Sequence, residues 1–133
     1  MSSILRPYLN IPRGVKMSQF SIPIVLFIFK RTDTLARIMQ RISLIKPQKL
    51  YILADGARNA EEIAAVNEAR KTVEDAIDWD CKVIKNYSET NRGVFENIGM
   101  GARWVLEREP YAIFLEDDNL PQLTFFPFCE ELL

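Results

Sequence analysis

The sequence predicts an α/β fold built on a doubly wound, mostly parallel sheet, and three observations lead there. Apolar runs of strand length alternate with segments of helical periodicity. The first run, Ile24 to Phe29, is continuously apolar rather than alternating, as in a strand buried on both faces. The connections between successive runs are long enough to be crossovers, which parallel strands require.

Each element follows from its residues. Ile24 to Phe29 is rich in β-branched and aromatic side chains and predicts the first strand. After a polar turn, Leu35, Ile38, Met39 and Ile42 fall at i, i+3, i+4 and i+7, the apolar stripe of a helix. Thr32, Asp33 or Thr34 can cap that helix, and Pro47 ends the unit. Lys49 to Ala54 predicts a second strand, with Asp55-Gly56 as the turn after it. Asn59 suits a helix N-cap, and Glu61 and Glu62 suit the positive end of the helix dipole. That helix is expected to run to about Ile77, with Ile63, Val66, Val73 and Ile77 inward. Cys81 to Lys85 predicts a short third strand, followed by a polar loop from Asn86 to Gly93. Val94, Ile98, Ala102, Val105 and Leu106 mark a third helix, which Pro110 stops. Tyr111 to Leu115 predicts the fourth strand, running directly into Glu116, Asp117 and Asp118. Finally, Phe125, Phe128, Cys129 and Leu132 repeat at helical spacing. Residues 1–21, mildly basic and broken by proline and glycine, read as an arm or extension, and residues 22–133 as one domain.

Composition narrows the chemistry. With 133 residues the chain is long enough for one domain with a real core but not for two domains. A net charge of -1 argues against a protein whose main partner is nucleic acid, since that partner needs a basic face. There is no histidine, so a Ser-His-Asp triad, a His-based zinc site and imidazole acid-base chemistry are excluded from these residues. Two cysteines, Cys81 and Cys129, cannot build a disulfide scaffold and read as buried filler in a reducing compartment. No apolar run approaches the roughly 20 residues of a membrane span. Residues 1–16 lack the apolar stretch of a secretory signal. The expected location is cytoplasmic, with no transmembrane segment.

In open parallel sheets ligands sit beyond the carboxyl ends of the strands, where strand order reverses. The residues to weigh are therefore Lys30 to Asp33, Asp55-Gly56, Asn86 to Gly93 and Glu116 to Asp118. Three consecutive acids at a strand end repel one another, and a divalent cation relieves the penalty; hard oxygen ligands suit Mg²⁺ or Mn²⁺. The same acids can also be a solvated turn or cap. Asp55-Gly56 needs no role beyond a turn, although a carboxylate there can accept a base N–H. Lys30 and Arg31 can reach a phosphate or simply be solvated. Asn91-Arg92-Gly93 precedes a helix and could meet an anion. Gly99 and Gly101 lie within the third helix, where they permit close packing or ligand access.

Taken together, the Lys30-Arg31-Thr32-Asp33 turn, a second strand ending Ala54-Asp55-Gly56, and Phe114-Leu115-Glu116-Asp117-Asp118 followed by Pro121 and Phe125-Phe126 resemble a known family. They are similar to the GT-A nucleotide-diphospho-sugar transferases, in particular the glycosyltransferase family 2-like enzymes and the N-acetylglucosaminyltransferase I type. The resemblance covers residues 22–133. It implies a Rossmann-like, doubly wound, mostly parallel sheet of the GT-A type, truncated after a DXD-like metal motif. It implies Asp118 as the direct metal ligand with Glu116 in support, and Asp117 as a ribose or metal contact. Asp55 is implied as the uracil-reading carboxylate, and Arg31 with Thr32 as nucleotide contacts. Asn91, Arg92 and Asn97 match only loosely. Mn²⁺ or Mg²⁺ is the implied cofactor, a UDP-sugar the donor, and a glycan, lipid or protein the unidentified acceptor.

The chain stops about fifteen residues after Asp118, whereas the family places its acceptor site and catalytic base well downstream. The expectation is a nucleotide-binding half that is inactive alone and self-associates as a homo-oligomer through uncovered apolar surface. Two other readings stand beside it. One is a non-catalytic nucleotide-binding or interaction module of the same fold. The other is a metal-dependent nucleotidyltransferase, disfavoured because no Gly-rich loop follows the first strand.

Overall fold

A computed structural model describes residues 19–132. The readings made for residues 1–18 and for Leu133 lie outside the described residues. The elements run β1 (Ile24–Ile28), α1 (Asp33–Ile45), β2 (Lys49–Ala54), a 3₁₀ turn (Ala60–Glu62) leading into α2 (Ile63–Ala76), β3 (Lys82–Tyr87), a π-helical segment (Phe95–Met100) leading into α3 (Gly101–Leu106), β4 (Ile113–Glu116) and α4 (Phe125–Leu132).

The sheet is four-stranded, wholly parallel and ordered β3-β2-β1-β4. The chain steps outward from β1 to β2 to β3, then returns to lay β4 on the free side of β1. Strand order therefore reverses between β1 and β4. The register sets Ile24 beside both Leu50 and Ile113, and Phe27 beside Glu116. Alternate side chains face opposite layers, as the pleat dictates. Ile24, Leu26 and Ile28 enter a core with α1, α2 and Phe126, while Val25 and Phe27 enter a second core with Tyr51, Leu53 and Val105 of α3. Both faces of the sheet are thus covered, which is why its central strands tolerate continuous apolar sequence.

The stripe of α1 is buried as its spacing predicts, with Ile45 added. The helix stops at Lys46, whose left-handed φ of 51° turns the chain into Pro47 while its N–H still bonds Ile42 O at 3.0 Å. Asn59 does cap the second helical unit, its Oδ1 accepting the Glu62 N–H at 3.2 Å. At the junction of the 3₁₀ turn and α2, however, Glu62 turns inward and its neighbour Ile63, expected inside, is left 51% exposed. Val66, Ala69 and Val73 carry the buried stripe instead.

Two further expectations are corrected by packing. In α4, Phe126 and Cys129 face the core, with Leu123 of the preceding turn, and Phe126 meets Phe20 edge-on at 5.9 Å. Phe125, Phe128 and Leu132 are consequently exposed. The third helix is not one regular helix. Its first part is π-wound, Val94 and Leu106 are exposed, and Asn97, Gly101 and Val105 form the buried line. Gly101 lets the helix approach β2 closely, because a Cβ there would lie 2.5 Å from Leu53 Cδ2 and push that leucine aside. Phe20, which the sequence reading placed in the arm, is buried and pairs with Pro47 in an isolated bridge. No described helix is long and apolar enough to cross a membrane.

Candidate functional site

A cleft of about 380 Å³ opens at the carboxyl ends of β1, β2 and β4, where strand order reverses. Phe29, Asp55, Arg58, Asn91, Gly93, Asn97 and the three acids Glu116, Asp117 and Asp118 line it. The fold therefore gathers strand-end residues that lie far apart in sequence.

The acids are placed by β4. Glu116 is the last ladder residue, opposite Phe27, so Asp117 emerges beside the end of β1. There its Oδ2 accepts the Phe29 N–H at 3.1 Å, extending the β1–β4 contact one step beyond the ladder. Burial pushes the Asp117 carboxyl above its ordinary range. The Phe29 N–H opposes that rise, Asp118 and Glu116 add to it, and Arg31 opposes it. Glu116 receives Asn119, through a backbone bond of 3.2 Å and a side-chain bond of 3.4 Å. Asp118 is exposed and has no hydrogen-bond or ion-pair partner among the described residues.

Among the described residues no three His, Cys, Asp or Glu side chains converge closely enough to cage a metal ion. A cation shared with a ligand would need fewer protein donors. Mg²⁺ and similar hard cations take one or two carboxylates and fill the remaining positions with phosphate oxygens and water. Asp118, with Glu116 beside it in the cleft, would supply that pair. Burial, and then the two neighbouring acids, penalise the Asp117 charge, a penalty that a nearby cation would relieve.

Asp55 occupies the cleft floor but is already committed. It is 6% exposed. Its Oδ1 accepts the Gly56 and Arg92 N–H groups at 2.8 and 2.6 Å, and its Oδ2 accepts the Gly93 N–H at 3.1 Å and Asn91 Nδ2 at 3.2 Å. A carboxylate has about four acceptor positions, and all are filled. Where the sequence resemblance assigned a free base-reading acceptor, the structure has a fastener joining β2 to the loop before α3. Gly56 lets that loop lie flat, since a Cβ there would sit 2.6 Å from the Thr90 backbone. Arg70 adds a brace, donating to Asp55 O at 3.2 Å and Ser88 O at 2.7 Å.

Arg31 and Thr32 stand at the rim rather than in the lining. Arg31 is exposed and close enough to Asp117 to influence its charge. Thr32 occupies the N-cap position of α1 without a side-chain cap, and its carbonyl accepts the Ala36 N–H at 3.0 Å. The basic residue in the lining is Arg58, which sequence reasoning passed over. It shares buried Glu62 with Lys30, each ion pair closing to 2.6 Å, and both cations stand against the Phe29 ring. The Arg58 hydrogen bonds, then that of Lys30, hold the Glu62 carboxyl far below its ordinary range. Two cations against one carboxylate leave this group with net positive charge, and Arg58 brings part of it into the lining of the cleft that the acids share. The available signal was position, since Arg58 follows the end of β2 by a few residues, where ligand-contacting residues of such sheets lie.

Asn97 completes the cleft. It is 5% exposed, lies in the π segment, and its Oδ1 is buried without a hydrogen bond among the described residues. An unmade bond of this kind costs about 1–3 kcal/mol, and π-wound turns recur at functional sites. Its signal was also in the sequence. Asn97 precedes Gly101 by four and Val105 by eight residues, so it is a polar side chain on the buried line of its helix. No protein-family model, curated protein or solved structure matches the chain.

Proposed function

We propose that this chain is the donor-binding domain of a glycosyltransferase and holds a UDP-sugar together with Mn²⁺ or Mg²⁺ in the cleft at the ends of β1 and β4. The observation that carries the reading is the set of three consecutive acids, Glu116 to Asp118, at the point where strand order reverses. The family resemblance in the same residues, and the GT-A version of the parallel α/β fold that it implies, belong to this reading. Asp118 and Glu116 hold the cation. Asp117 locks the end of β4 to Phe29 and keeps the two strand ends at fixed separation. Arg58, in the lining of the same cleft, offers a guanidinium to a phosphate oxygen while Glu62 holds it in place. When bound, the cation neutralises the charge that builds on the departing diphosphate. The sugar acceptor contributes the hydroxyl that takes the sugar.

Titration calorimetry with UDP tests the reading. Three clustered acids repel a diphosphate unless a cation intervenes, so measurable affinity is expected in Mn²⁺ and a drop of tenfold or more in EDTA. Equal affinity in the two buffers would remove the metal role, and absence of binding in both would remove the nucleotide. Hydrolysis of a UDP-sugar in the same sample separates a transferase domain from a module that only binds.

A further inference from the structure

We infer that β4 is a dimerisation edge, and that a second copy of this chain pairs with it antiparallel, Phe114 opposite Phe114 across a two-fold axis. This pairing is independent of what the cleft binds, and it supplies a strand and a register for the self-association expected from the sequence. The sheet has two edges, β3 on one side and β4 on the other. An edge strand presents a row of unpaired N–H and C=O groups, which folded proteins guard with charged side chains, lysine above all. On β3, exposed Lys82 and Lys85 guard the row. On β4, the run Ile113-Phe114-Leu115 carries no charge.

The polar row of β4 follows from its bonds to β1. The Ile113 N–H donates to Pro23 O at 2.9 Å, so Ile113 and Leu115 turn their backbone groups toward β1. Ala112, Phe114 and Glu116 alternate with them and turn theirs outward. Apolar side chains flank that row on both faces of the sheet. Exposed Phe114 stacks on Phe27 on the α3 side. On the α4 side a groove of about 660 Å³ is lined by Leu115, Leu120, Phe125 and Phe128.

A second copy fits this edge because the strand is nearly its own complement. With Phe114 on the dyad, its N–H donates to Phe114 O of the second copy and its carbonyl accepts the reciprocal bond. Ile113 then lies opposite Leu115 of the second copy, and Ala112 opposite Glu116. The acids of the two copies fall at opposite ends of the pair and meet no like charge across it. Moving the dyad to Leu115 would draw the two acid runs together, and like charges opposite one another destabilise a strand pair. The two four-stranded sheets join into one, with α4 of both copies on the same face. Burial of the exposed Phe125 and Phe128 rings there adds the apolar contribution that a few backbone bonds lack.

Sedimentation velocity across a concentration series reads the assembly. Isotope-filtered NMR on mixed labelled and unlabelled chains reads the register. Wild type is expected to dimerise, with cross-copy contacts between the Hα protons of Ile113 and Leu115. Phe114→Pro deletes the outward N–H and spares the bonds of Ile113 and Leu115 to β1. It should weaken the dimer at least tenfold while the melt stays cooperative. Phe114→Lys sets two like charges on the dyad, should weaken the dimer as much, and serves if proline is not accommodated. A wild type that stays monomeric at every concentration overturns the inference and leaves the edge to another occupant. A dimer insensitive to the Phe114 variants overturns it too, as does one whose cross-copy contacts come from β3 or from α4 alone.

Discussion

Asp117 is held between two demands. Its Oδ2 must accept the Phe29 N–H to fix β4 against β1, yet the carboxylate is half-buried beside two other acids. Burial first, then Asp118 and Glu116, raise its proton affinity above the ordinary aspartate value near 3.8. Because the folded state keeps this proton more tightly than the unfolded chain, ionisation weakens the fold. The loss begins as pH rises through the ordinary value and is complete above the raised one. Asp117→Asn keeps an acceptor for Phe29 and removes the charge. It is therefore expected to raise the melting temperature at neutral pH, with the gain disappearing at acid pH. The same substitution should weaken UDP in Mn²⁺ by roughly tenfold, because one of the three negative charges that would draw the cation into the cleft is lost while Asp118 and Glu116 remain. Paired melting curves across pH and calorimetry check both halves. A melting temperature that fell at every pH would show that the charge itself holds β4 in place.

At the scale of elements, the loop between β3 and α3 is the part least legible in the sequence. The apolar stripe of α1 and the continuous run of β1 depend on neighbours a few residues away, so periodicity exposes them. The fastening of the loop depends on Asp55 meeting Asn91, Arg92 and Gly93, residues 36, 37 and 38 positions further on. No local pattern reports such a contact, and Asp55-Gly56 looked like a turn or a base reader. The same limit hid the Lys30–Glu62–Arg58 group and the choice of Phe126 over Phe125 and Phe128 as the buried member of α4. Asp55→Asn tests the fastener directly, because an amide nitrogen cannot accept from a backbone N–H. Each buried bond left unmade costs about 1–3 kcal/mol. The expected result is a lower urea midpoint and faster hydrogen exchange at the amides of residues 92 and 93. Unchanged exchange combined with lost UDP affinity would return Asp55 to the base-reading role.

For the whole molecule, the sheet topology does what the individual residues cannot. By returning β4 to the free side of β1, the chain brings Glu116 to Asp118 beside Phe29 and into the cleft that Arg58 also lines. The parallel α/β class and the strand-end position of the acids were legible because buried parallel strands leave continuous apolar runs. The π winding of Phe95–Met100 was not, since no residue type reserves itself for it. Beside the free edge of β4, Leu120, Phe125 and Phe128 are exposed on the side that carries Leu115 and α4, while exposed Phe114 lies on the other side against Phe27; the self-association expected from the sequence would draw on the first of these. The central claim is that one cleft at the β1–β4 crossover holds both cation and nucleotide. Paramagnetic broadening of the backbone amide spectrum by substoichiometric Mn²⁺, recorded with saturating UDP, tests it most directly. The account predicts broadening centred on residues 116–118 and extending to Phe29, with UDP-dependent shifts at Asn97 and Arg58. Broadening centred on the opposite end of the sheet, around Lys49 and Glu109, or spread evenly over the surface acids, would contradict it.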